Sequence, residues 1–67
     1  MQRSFVTSSR IISVGWEGGI LEVEFRDGAV YHYYDVSHDE YTSFMGSSSL
    51  GSALSRLDKA HKYRRIS

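Results

Sequence analysis

Leu21-Glu22-Val23-Glu24-Phe25-Arg26-Asp27-Gly28-Ala29-Val30-Tyr31-His32-Tyr33-Tyr34-Asp35-Val36 is the stretch whose reading decides the fold. Leu21, Val23 and Phe25 alternate with Glu22, Glu24 and Arg26, the period-2 pattern of a strand with one buried face and one wet face. Arg26-Asp27-Gly28 turns the chain into a second strand rich in aromatic side chains. Two turns fit. A two-residue Asp27-Gly28 turn sets Phe25 opposite Val30 and leaves Tyr31 and Tyr33 on the glutamate face. A type I turn closed by Gly28 in the left-handed conformation sets Phe25 opposite Ala29, Val23 opposite Tyr31 and Leu21 opposite Tyr33. A shift of one residue moves every side chain to the other face, and only the bulged turn gathers Leu21, Val23, Phe25, Tyr31 and Tyr33 on one side. The bulged register is therefore expected, with those five residues buried and Glu22, Glu24, Val30, His32 and Tyr34 on the opposite face.

Upstream, Ile12, Val14 and Trp16 alternate with Ser13 and Gly15, which marks a strand ending at the Glu17-Gly18-Gly19 turn. The three strands, about 11–17, 20–26 and 29–35, are joined by turns too short for a crossover, so they form an antiparallel meander. Met1 to Ser9 is a polar lead-in without a clear period. Downstream the period changes. Ser37-His38-Asp39-Glu40 is a capping box, and Tyr41, Phe44 and Met45 form the apolar stripe of a helix over about 38–45 that ends at Gly46. Ser49 suits a second N-cap, and Leu50, Ala53, Leu54 and Leu57 repeat at helical spacing over about 50–60. Tyr63 to Ile66 fits either a continued helix or a short edge strand. The expected fold is α+β: one domain over residues 1–67, a three-stranded meander with two short helices on one face.

Composition limits the function classes. A chain of 67 residues hides only about 60% of the surface its unfolded form exposes, and with no cysteine it has no disulfide to help. The apolar share is 40% and the aromatic share 13%, too hydrophobic for a disordered tail, so the aromatics must supply much of the core. No apolar run is long enough for a membrane span or the apolar block of a signal peptide, and the expected location is the cytoplasm. The net charge of zero conceals a separation: residues 11–50 carry Arg26 against seven acids, and residues 51–67 carry five bases against Asp58. Arg3 and Arg10 add a basic beginning.

Chemical motifs are few. His32, His38 and His61 lack the spacing and companions of a zinc site. Serines are abundant but no strand-turn-helix nucleophile elbow accompanies them. Glu22 and Glu24 share one strand face, as on any solvated strand. The reading is a protein without catalytic residues, metal or cofactor.

The residues also carry a resemblance. Ser8-Ser9, Ile12, Val14-Gly15-Trp16, Leu21 to Phe25, Gly28, Tyr31-His32-Tyr33, Val36, Ser49-Leu50-Gly51 and Tyr63-Arg64-Arg65-Ile66 resemble the KTSC domain, over roughly Val6 to Ile66. That family is named from the C-terminal extension of some lysyl-tRNA synthetases and includes stand-alone small proteins of bacteria and their viruses. Ser37 stands where the family usually has proline, and Ala53 and Ser55 where an aromatic residue and an asparagine are common. The resemblance implies the same compact α+β fold and, through the synthetase, an RNA partner.

Two functions stay open. The first is a non-enzymatic module that contacts RNA, transfer RNA or single-stranded, through Arg56, Lys59, Lys62, Tyr63, Arg64 and Arg65, approached by the N-terminal arginines. The second is a protein-interaction module, a small bacterial or phage regulator. It docks a protein partner or a second copy through Glu22, Glu24, His32, Tyr34 and Trp16, or through an unpaired strand edge. The expected state is a monomer or weak homodimer.

Overall fold

The hairpin register is the one the bulged turn requires. In a computed structural model that describes residues 1–67, Val23 pairs with Tyr31 and Leu21 with Tyr33. The amide of Phe25 donates to the carbonyl of Ala29 at 2.8 Å. Gly28 adopts φ +93°, a region closed to most side chains, and the Asp27 carboxylate accepts the Ala29 amide at 3.0 Å. The two strands, β3 (Ile20–Phe25) and β4 (Val30–Tyr33), are shorter than expected from sequence. Arg26 leaves the sheet for the turn, where its guanidinium donates to the Ser8 carbonyl. Asp35 at φ +58° ends the second strand.

The sheet has five strands rather than three. β1 (Arg3–Phe5) pairs with β2 (Ile11–Glu17), β2 with β3, β3 with β4, and β4 with β5 (Tyr63–Arg65), all antiparallel, in chain order across the sheet. The two added strands are edges of three residues that bury no side chain fully, so neither shows the alternation by which a strand is recognised. β2 differs in detail as well. Ile11 pairs with Phe25 and Ser13 with Glu24, leaving Ile12 as a bulge. Ile11, rather than Ile12, is thereby fully buried.

Two helices cover one face of the sheet, α1 (His38–Met45) and α2 (Leu50–Ala60). Ser37 caps α1 in a complete capping box, and Ser49 caps α2 by accepting from the Ser52 amide. The core joins Ile11, Val14, Leu21, Val23 and Tyr33 of the sheet to Phe44 of α1 and to Leu50, Ala53, Leu54 and Leu57 of α2. Val36, in the link between them, is fully buried too. Phe25 and Tyr31 depart from expectation: both lie on the helix side and touch the core, yet both are only half-buried. No helix is long and apolar enough to cross a membrane.

Trp16 is also placed differently from its grouping with His32 and Tyr34. It pairs with Leu21 on the core side of the sheet, donates its indole N–H to the Val36 carbonyl at 2.8 Å, and stacks on Tyr41 of α1. At the C-terminal end of α2, the His61 ring bridges the elements. Its Nδ1 lies 2.9 Å from the Tyr34 carbonyl and its Nε2 lies 2.7 Å from the Glu40 carboxylate.

Candidate functional site

The glutamate side of the sheet is internally compensated. Gly15 of β2 has Arg3 as its cross-strand neighbour on β1. A side chain at Gly15 would meet the Gln2 carbonyl and the Arg3 stem. Across that gap the Arg3 guanidinium reaches Glu22 at 3.5 Å and Glu24 at 3.9 Å. His32 sits 2.7 Å from the other oxygen of Glu22, and the Ser13 hydroxyl donates to Glu24 at 2.9 Å. Arg64 of β5 stands beside His32 on this side. Tyr34, one residue past β4, is half-buried, with its backbone joined to Lys62 and His61. The five residues named for protein docking are thus divided, Glu22, Glu24 and His32 on one side of the sheet and Trp16 on the other.

The basic C-terminal residues are divided too. Paired strands point opposed residues to the same side, so Arg64, opposite His32, and Arg65, opposite Tyr31, project from opposite sides of the sheet. Arg56 lines a cleft between α1 and α2 beside Asp39 and Glu40, while Lys59 and Lys62 are exposed. Only Tyr63 and Arg65 enter a common site.

That site is a groove of about 250 Å³ on the helix side, between α2 and the β4–β5 end of the sheet. Its floor is a run of rings. Phe25 meets Tyr31 edge to face with centroids 5.4 Å apart, Tyr31 lies 5.8 Å from Tyr63, and Tyr63 lies 5.3 Å from Tyr33. Tyr63 is 51% exposed, whereas Tyr33 is buried beneath it. Arg10 and Arg65 line the groove, as do Asp27 from the hairpin turn and Asp58 from α2. The Tyr33 hydroxyl donates to Asp58 Oδ1 at 2.6 Å. Burial, and then that hydrogen bond to a carboxylate, push the tyrosine's pKa far above its ordinary value, so the hydroxyl stays a donor.

The sequence names Tyr63, Arg65 and the approach of Arg10, and misses the rest. Phe25 and Tyr31 look like core positions because the alternation that places them on the helix side cannot say how far the helices extend over that side. Asp58 is hidden as a lone acid among bases. Arg3, by contrast, belongs to the other side of the sheet.

Relatives share this architecture. The sequence profile of the KTSC domain matches residues 7–63. The chain belongs to the KTSC domain family. A crystal structure of a KTSC domain protein from Yersinia pestis superposes with a TM-score of 0.89 at 33% identity, over 98% of this chain and 97% of that one. An uncharacterized protein of Stutzerimonas stutzeri is 36% identical over 66 residues, spanning 96% of this chain and 93% of its own length. In this KTSC domain the matched span holds the aromatic floor through Tyr63 together with Arg10, Asp27 and Asp58, and stops short of Arg65.

Proposed function

We propose that this KTSC domain is a non-enzymatic module that binds single-stranded RNA in the groove beside β4 and β5. The observation that carries the reading is the coincidence of half-exposed aromatic rings with two arginines in one groove. Unpaired bases stack on aromatic side chains, and arginine contacts the phosphates that flank them. Tyr63 and Tyr31 offer the ring faces, and Arg65 and Arg10 offer the charges. Base stacking tolerates a modest groove and a balanced net charge, since the arginines act locally. The docking of a basic protein on the glutamate side draws less support, because Glu22 and Glu24 already hold Arg3, His32 and Ser13.

Fluorescence anisotropy with labelled single-stranded RNA and with a transfer RNA, at low and moderate salt, tests this. Arg65→Ala should weaken binding and lower the salt slope by about 0.7 for each phosphate that the side chain no longer neutralises. Tyr63→Ala should cost about 1 to 3 kcal/mol of stacking. Arg64→Ala, on the other side of the sheet, should change little. Binding no tighter than about 10⁻⁶ M in every case, the tight end of the non-specific range, or equal losses for Arg64→Ala and Arg65→Ala, would refute the site.

A further inference from the structure

Two guanidinium groups and two carboxylates line the same groove without pairing: neither Asp27 nor Asp58 has a basic side chain within 4 Å. Each carboxylate is pinned through one oxygen. Asp58 Oδ1 accepts the Tyr33 hydroxyl, and Asp27 Oδ1 accepts the Ala29 amide. The second oxygen of each takes no hydrogen bond from the protein. The result is a ring-floored groove that presents fixed acceptors and separate cations.

A guest that satisfies both must carry hydrogen-bond donors and a negative charge on the same molecule. A lysine or arginine side chain would answer the carboxylates and be repelled by Arg10 and Arg65. A nucleotide answers both, with its phosphate toward an arginine and its base edge toward a carboxylate. The bases differ in what they offer. A carboxylate only accepts, so it favours two adjacent donors. Guanine supplies them, N1–H beside the exocyclic amino group. Adenine and cytosine place an amino group beside a ring acceptor, and uracil places one N–H between two carbonyls. The geometry points to a guanine-selective site, in which the base stacks on the exposed Tyr63 ring of the groove floor and its donor edge meets Asp58. This rests on the groove being where RNA binds, and it adds which base is read.

The same donor edge occurs in RNA and in free guanine nucleotides, so the test has arms for both. Short labelled oligoribonucleotides that are identical except for one central G, inosine, A, C or U are titrated against the intact protein, with guanosine monophosphate titrated separately. Because inosine lacks only the 2-amino group, it probes the second donor without any change to the protein. The expected result is binding of the G oligomer roughly tenfold or more tighter than the A, C and U oligomers, with inosine between. Asp58→Asn should bring all five within about twofold of one another, with amide spectra showing the fold retained. Glu17→Gln, at an exposed carboxylate outside the groove, provides a second variant and should leave the preference in place. Guanosine monophosphate binding as tightly as the G oligomer would identify the free nucleotide as the guest and uphold the base reading. Equal affinity for all five oligomers would overturn base selection while leaving RNA binding intact. Binding of an oligoarginine peptide with no binding of any nucleotide would overturn both.

Discussion

At residue scale, Ser37 and Glu40 show how far local chemistry alone reaches. The Ser37 hydroxyl accepts the Glu40 amide and the Glu40 carboxylate accepts the Ser37 amide, each at 3.1 Å. Removing the hydroxyl in Ser37→Ala should cost about 1 kcal/mol, and the Glu40 amide should exchange faster in the variant than in the parent. The carboxylate also has a pH signature. Its hydrogen bond from the Ser37 amide, followed by the one from His61, holds Glu40 below the ordinary carboxylate range. A folded-state value below the unfolded one stabilises the fold at pH above the ordinary carboxylate value, and that contribution disappears as pH falls from there through the lowered value. Thermal melts across the acid range should therefore show a loss of stability that Glu40→Gln abolishes in that window. The capping box is readable from sequence because its partners lie three residues apart. His61 reaches the same carboxylate from 21 positions away, and no local spacing announces that pairing.

At the scale of elements, the central hairpin is legible and the edges are not. Alternation, glycine at the turn and the need to gather the apolar side chains together decide the pairing of Leu21 with Tyr33. The terminal strands lack that pressure, since Phe5 is 85% exposed and every residue of β5 is exposed. This limit explains the divided basic cluster, because two adjacent arginines look like one patch until the segment is known to be a strand. Gly15 tests how β1 is held. A Cβ there would lie 2.6 Å from the Gln2 carbonyl, closer than backbone can tolerate, so Gly15→Ala should push β1 off the sheet. Hydrogen exchange should then show reduced protection at Arg3 to Phe5 with the pairing of β3 and β4 retained. Protection of β1 at the parental level would show that the strand yields without detaching.

For the whole molecule, stability depends on a small shared core. Leu54 is 1% exposed at the centre of that core, and Leu54→Ala should remove about 2 to 5 kcal/mol, a large share of what so small a domain has. Phe25→Ala should cost less, because the ring is half-buried at the groove, and the difference between their denaturation midpoints measures how much of the aromatic face serves packing. The order of strands across the sheet has a further consequence, in time rather than in space. β1 to β4 are successive hairpin neighbours whose contacts close short loops, whereas Tyr33 must wait for Tyr63, thirty positions later, after both helices. During folding, the meander can assemble while β5 is still free chain. The aromatic groove then acquires Tyr63 and Arg65 last, so it is complete only when the whole fold is.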